Sequence, residues 1–177
     1  VEDIYPRDLF IETGSFIGDG IEQALELGYK SVVSIELSEK YYNICCERFR
    51  FHPHVKIIHG DSYKVLPKVL EHVECVCTFW LDGHYSGGDT ALGDYNSPLL
   101  LELESIKNHY IKSHTILIDD LRCWVKDKTH FHYEKTDVRS NQFDVTDIIT
   151  KIKEINSDYK LKYLDGYVEN DVLLAHL

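Results

Sequence analysis

Six acids and one histidine stand where this chain could do chemistry. Glu12 closes the apolar run Leu9-Phe10-Ile11 and opens the loop Thr13-Gly14-Ser15-Phe16-Ile17-Gly18-Asp19-Gly20. Glu36 closes Ser31-Val32-Val33-Ser34-Ile35, and Asp61, with Ser62 beside it, follows Val55 to His59. Asp82 ends the run from Val73 to Leu81 and leads into Gly83-His84, while Asp119 and Asp120 close Thr115 to Ile118. In open α/β sheets ligands bind outside the carboxyl ends of the strands, so these acids should share one rim. Any single one reads equally well as an ordinary loop residue of an acidic protein; an acid at each of five strand ends is harder to set aside. Carboxylates there accept hydrogen bonds from hydroxyl or ammonium groups and can hold a hard divalent cation. His84, with a reference pKa near ~6.5, is the candidate general base, against the plainer reading of a hydrogen-bonded loop histidine.

The elements that must position these groups alternate. A helical pattern from Ile21 to Leu27 ends at Gly28, and Ser38 is placed to cap a helix through Phe49. Tyr63 to Leu70 is helical across Pro67, and Ser97-Pro98 opens a helix with Leu99, Leu100, Leu103 and Ile106 on its apolar side. Residues 121–144 read as irregular, and Val145 to Ile155 as a helix. Two strands, Leu161 to Leu164 and Val172 to Ala175, then follow closely. Alternation predicts an α/β, Rossmann-like, doubly wound sheet of about seven strands, mostly parallel, and the closing pair predicts an antiparallel last strand.

With 177 residues the chain is read as a single domain spanning 1–177, large enough for its own core. It begins at Val1 and contains no Met, which reads as a domain cut from a longer protein. A formal charge of −11 weighs against nucleic acid and against anionic membrane surfaces as partners. No apolar run has the length of a membrane span, and no signal-peptide pattern opens the chain. The five cysteines lack C-x-x-C spacing and read as reduced thiols of a cytoplasmic protein.

The acid-ended second strand, 24 residues beyond Glu12, suits the two hydroxyls of a ribose and hence an adenosine-bearing cofactor. NAD fits poorly, because its G-x-G-x-x-G fingerprint would need glycine where Phe16 and Asp19 stand. No Gly-Lys-Ser/Thr follows the glycines, so a P-loop fails too. An acidic first turn repels a pyrophosphate but tolerates a cofactor carrying an ammonium and a sulfonium.

On these residues the chain resembles the class I S-adenosylmethionine (SAM)-dependent methyltransferases, from about Leu9 to the last strand. The resemblance implies that Glu12, Thr13, Gly14, Ser15, Gly18 and Gly20 hold the methionine end of SAM. It implies Glu36 for the ribose, Asp61 and Ser62 for the adenine, and Asp82 at the cofactor's edge. The spacing Glu12-x-Gly14-x-x-x-Gly18-x-Gly20 departs from the family's E-x-G-x-G-x-G. Leu81-Asp82-Gly83-His84-Tyr85 with Ile118-Asp119-Asp120 is similar to small metal-dependent O-methyltransferases of the catechol and of the sugar- or antibiotic-modifying types. That implies Mg²⁺ or another divalent cation on Asp82, Asp119 and Asp120, and catalysis by His84 and Asp82. A solvated, capping acid pair is the alternative for the metal set.

The implied activity is O-methyl transfer to a hydroxyl of a small polar acceptor, a sugar or glycan first, with metal assistance. The rivals are a metal-independent SAM-using N-methyl or aminocarboxypropyl transferase, and a non-catalytic interaction domain on the same fold. Loops 83–97 and 121–144 are left to set specificity. In the second, His130 and His132 read as facing substrate, with a metal pair as the alternative, and Trp124, Phe131 and Tyr133 either stack on the acceptor or simply pack. Cys123 reads as a small buried apolar residue. The oligomeric state is open, a homodimer being one form.

Overall fold

The computed structural model describes residues 4–124 and 143–177. The strands are β1 (Phe10–Thr13), β2 (Val32–Glu36), β3 (Val55–His59), β4 (Thr78–Leu81), β5 (Thr115–Ile118), β6 (Lys160–Leu164) and β7 (Val172–His176). The helices are α1 (Asp19–Glu26), α2 (Glu39–Arg48), α3 (Ser62–Leu70), α4 (Leu99–Asn108) and α5 (Val145–Ile155). One sheet runs β3-β2-β1-β4-β5-β7-β6. Strands β1 to β5 pair in parallel, and β7 lies antiparallel to both β5 and β6. This is the doubly wound sheet with an antiparallel last strand that the alternation predicts.

Period two along the strands splits the core. Ile11, Ile35, Phe79, Leu81, Ile116 and Ile118 pack against α3, α4 and α5 through Leu66, Leu103, Ile106, Ile148 and Ile152. Phe10 and Val32 face the other way, onto Ile21 and Ala24 of α1 and Cys45 of α2. Glu12 and Ser34 are paired neighbours on that second face, so the first strand-end acid is aimed at α1.

Three local expectations change. The strand expected from Val73 to Leu81 begins only at Thr78, because Val73 N–H closes onto Leu70 O at the end of α3. Cys77 N–H then donates to His114 Nδ1 at 3.1 Å. That bond fixes the tautomers: His114 Nε2–H donates to His109 Nδ1 (2.9 Å), and His109 Nε2–H donates to Val73 O (3.0 Å). Burial holds His114 down at about 4, so its ring stays neutral where the chain of bonds seals the sheet end opposite the rim. Residues 121–124 form a 3₁₀ turn where an irregular segment was expected. Ser38 stands at the N-cap of α2 but contributes no side-chain cap; its N–H is taken by the Glu36 carboxylate at 2.7 Å.

Candidate active site

The rim begins at Glu12. Its carboxyl is buried at 3 % exposure, and Ser34 Oγ donates to it. Ser34 Oγ also shares a 2.5 Å bond with Ser15 Oγ, so Ser15 fixes the loop instead of lying free. Burial, with Asp82 and Glu36 nearby, pushes Glu12 up to about 8 despite the Ser34 bond. Gly20 is required here, since a Cβ would run into the Glu12 carboxylate. Gly14 is required for two reasons: its φ of +84° lies in the left-handed region, and a Cβ would strike the Asp82 carbonyl across from it. Gly18 serves packing: a Cβ there would meet the Phe49 ring of α2 at 2.6 Å. The loop is held from the next strand, because Glu36 accepts Phe16 N–H at 2.9 Å as well as Ser38 N–H.

Asp61 lies just ahead of α3 and is raised by burial. The loop after β4 folds over it. Asp94 N–H donates to Asp61 at 3.4 Å, and a Cβ on Gly93 would sit 2.6 Å from that carboxylate. Asp94 in turn accepts Tyr63 OH (2.7 Å) and Lys64 Nζ (2.5 Å), tying loop to helix.

Thr13 and Ser62 turn inward. Both hydroxyls lie by Glu102 of α4, a carboxyl at 1 % exposure that burial pushes up to about 7 against their lowering influence. Thr13 Oγ1 also accepts Asp82 N–H at 3.2 Å. Glu102 Oε1 is left without a hydrogen-bond partner among the described residues and lies 3.0 Å from where a Gly83 Cβ would stand. One buried acid thus sits where the turns after β1, β3 and β4 meet.

At the far end of the rim the expected acids converge on a histidine. His84 Nδ1 lies 3.1 Å from Asp82 Oδ1, and His84 Nε2 lies 3.0 Å from Asp120 Oδ2. The Nδ1 contact lacks hydrogen-bond alignment, although the two groups are close enough to pair electrostatically. Burial alone would lower His84, but Asp120 and Asp82 overcome it and raise the ring to about 9. Arg122 bonds Asp120 Oδ1 at 2.5 Å and also the buried Asp171. Burial raises Asp120, and His84 with Arg122 more than offsets this, leaving it below the ordinary value. Asp119, pushed up to about 6 by burial and Asp82, accepts Asp120 N–H at 2.7 Å. The charge expected to need a metal is therefore already compensated by an imidazolium and a guanidinium. Trp124 packs in the core with its ring 6.0 Å from His84, and burial pushes the Cys123 thiol up to about 12.

Two cavities open on this rim. One of about 310 Å³ is walled by Glu36, Tyr41, Asp61, Ser62 and His84; the other, about 570 Å³, by Glu12, Tyr29, Trp80 and the α1 side of the loop. They share Gly14, Phe16 and Asp82. Glu12, Gly14, Ser15, Gly20, Glu36, Asp61, Ser62 and Asp82 all line them, whereas Thr13 is fully buried. His130, Phe131, His132 and Tyr133 lie outside the described residues. Glu102, Arg122 and Asp171 were missed. For Glu102 the signal was available, since it falls on the buried stripe of Leu99, Leu103 and Ile106.

These shifts set the sign of the pH dependence. Glu12 loses its proton near ~4.5 when unfolded but near 8 when folded, so between those values the native state binds more protons. Glu102 adds the same sign up to about 7 and His84 up to about 9, while His114 opposes only below ~6.5. Thermal stability of the ligand-free protein should therefore fall from pH 6 to pH 9. Calorimetric scans check this, and Glu12→Gln should flatten the curve; a Tm rising with pH would contradict the buried-acid geometry.

No protein-family model matches the chain. A 66-residue stretch, 37% of the chain, is 32% identical to ribosomal RNA small subunit methyltransferase A of Dehalococcoides mccartyi (strain CBDB1) and spans only 22% of that protein. The O-methyltransferase from Bacillus cereus in complex with SAH superposes with a TM-score of 0.57 at 14% identity, over 96% of this chain and 74% of that one. Aeropyrum pernix fibrillarin with natively bound S-adenosyl-L-methionine gives 0.61 at 13% identity, over 98% and 68%. The fold is the Rossmann-like one of the SAM-dependent methyltransferases, as the resemblance implies.

Proposed function

We propose that the chain transfers a methyl group from SAM to a hydroxyl of a small polar acceptor, a sugar first. The observation that carries this is the pair of adjoining cavities, with Glu36 and Asp61 on one side of the shared Gly14–Asp82 wall and the buried Glu12 on the other. An adenosine fits the smaller cavity, where Glu36 still has lone pairs for ribose hydroxyls and Asp61 faces the adenine. The amino-acid end fits toward Glu12, whose raised proton affinity a bound ammonium would reverse. When bound, SAM supplies an electrophilic methyl on a sulfonium, which the surrounding carboxylates favour. His84, at the cavity wall between Asp82 and Asp120, is placed to take the acceptor's proton once its own imidazolium proton has left, so transfer should quicken as pH rises toward about 9.

One relative's name points to ribosomal RNA, but a net charge of −11 weighs against phosphate-held partners here. Divalent-metal assistance on Asp82, Asp119 and Asp120 belongs to the same proposal. An ion on those three would have to displace the His84 ring from between Asp82 and Asp120, so no step is placed on it. Among the described residues no helix is long and apolar enough to cross a membrane. All five cysteines are unpaired, which supports a reducing compartment such as the cytoplasm.

The test is thermal. S-adenosylhomocysteine at 100 times its Kd should stabilise the fold by about 2.7 kcal/mol and raise Tm by roughly 5–10 °C. Glu36→Ala should shrink that shift. An unmoved Tm at millimolar ligand would sink the proposal.

A further inference from the structure

We propose that this rim holds a zinc-class transition-metal ion between His84 Nε2, the Asp120 carboxylate and Cys123 Sγ. One ligand atom from each of these residues lies within 4.8 Å of the other two. The local backbone produces the arrangement. Asp120 adopts a φ of 58°, and Cys123 N–H donates to Asp120 O at 2.8 Å, closing the 3₁₀ turn. Asp120 leads directly into the turn that carries Cys123, which keeps carboxylate and thiol close. Nε2 and Asp120 Oδ2 stand 3.0 Å apart. A tetrahedral ion with bonds of about 2.0–2.1 Å needs them roughly 3.3 Å apart, an opening of a few tenths of an ångström.

A second observation points to a ligand. The His84 side chain is only 6 % exposed, and its Nδ1 has no aligned hydrogen-bond partner among the described residues, yet Asp82 Oδ1 sits 3.1 Å behind it. A carboxylate behind the distal nitrogen is what orients a metal-bound imidazole and fixes its tautomer. Asp82 is thus a positioning residue for the ion, not one of its ligands. Arg122 occupies Asp120 Oδ1 and leaves Oδ2 for the metal.

The donor set decides the class of ion. Nitrogen, oxygen and thiolate sulfur favour zinc over magnesium, and three protein ligands leave a fourth position for water or an acceptor oxygen. The all-oxygen alternative, Asp119 with Asp120 and Asp171, already contains the Arg122 guanidinium on two of its members. On binding, the Cys123 thiol proton and the proton between Nε2 and Asp120 pass to solvent. With the ion bound, His84 no longer serves as base, so the ion and the proton are alternative occupants of one position. The inference concerns the ion alone and does not rest on methyl transfer.

The experiment uses the full chain, stripped with chelator and titrated with Co²⁺ as a spectroscopic stand-in for zinc. A thiolate-to-cobalt charge-transfer band should appear in the near ultraviolet, persist in Cys75→Ser and vanish in Cys123→Ser. Asp82→Asn should keep the band while weakening Co²⁺ affinity roughly 10–100-fold. Should Cys123→Ser fail to fold, the wild type decides: Zn²⁺ should slow iodoacetamide labelling of Cys123, read by mass spectrometry, at least tenfold. No band at saturating Co²⁺, a band that survives Cys123→Ser, or unprotected labelling overturns the site. S-adenosylhomocysteine calorimetry on the same metal-free protein reads the methyltransferase proposal separately.

Discussion

His84→Ala should cut methyl-transfer turnover by roughly 10²–10⁴-fold, the loss typical of a general acid–base group, while S-adenosylhomocysteine affinity stays within a few fold. The ring lies on the wall of the smaller cavity and is held from both nitrogens by carboxylates on two adjacent strand ends. Those carboxylates orient it and hold it as an imidazolium up to about pH 9, so its deprotonated fraction acts as the base. The adenosine-facing acids, Glu36 and Asp61, belong to other strand ends and keep their own bonds, Glu36 to Phe16 and Ser38 and Asp61 to Asp94. A split between turnover and cofactor affinity is therefore expected, measured as S-adenosylhomocysteine release with an active sugar acceptor against calorimetric Kd. Near-wild-type turnover would remove His84 from the chemistry and leave proton removal to an acid.

The second large effect is expected at Gly14→Ala. A side chain at φ +84° costs about 1–2 kcal/mol by itself. The added Cβ would also overlap the Asp82 carbonyl, which is backbone and cannot rotate away. Relief requires the ends of β1 and β4 to separate, and those ends form the wall shared by both cavities. Tm should fall by several degrees, and transfer should drop by about 10²-fold or more, as misplacements near 1 Å do. A variant with wild-type stability and S-adenosylhomocysteine affinity would show that the close approach of Gly14 to Asp82 does not shape the site.

What the chain discloses on its own follows from the range of the interactions involved. Buried parallel strands leave short apolar runs, and an acid just beyond each run is visible without coordinates, as at Glu36 and Asp61. The run from Val73 to Cys77 misleads because it is apolar for another reason, sealing the helix end and the histidine chain. Thr13 and Ser62 stand where ligand-facing hydroxyls are expected, yet both also lie by Glu102, a buried acid from a distant helix. Likewise Asp82, Asp119 and Asp120 look like a bare anionic cluster in one dimension. Only the folded chain brings His84 and Arg122 among them, together with Asp171 just ahead of β7.

The position of β7 has a consequence for synthesis. It is the last strand in chain order but lies inside the sheet, between β5 and β6. A ribosome delivers β1 to β5 first, and β5 then presents an open edge of apolar residues, Ile116 to Ile118. Arrival of β6 does not close that edge, because β6 docks only through β7. The nascent sheet therefore stays exposed to chaperones, or to mispairing with a neighbouring chain, until residues 172–176 clear the exit tunnel. A premature stop in the β6–β7 hairpin would leave both strands unattached, and quality control would meet a half-finished sheet instead of a trimmed one.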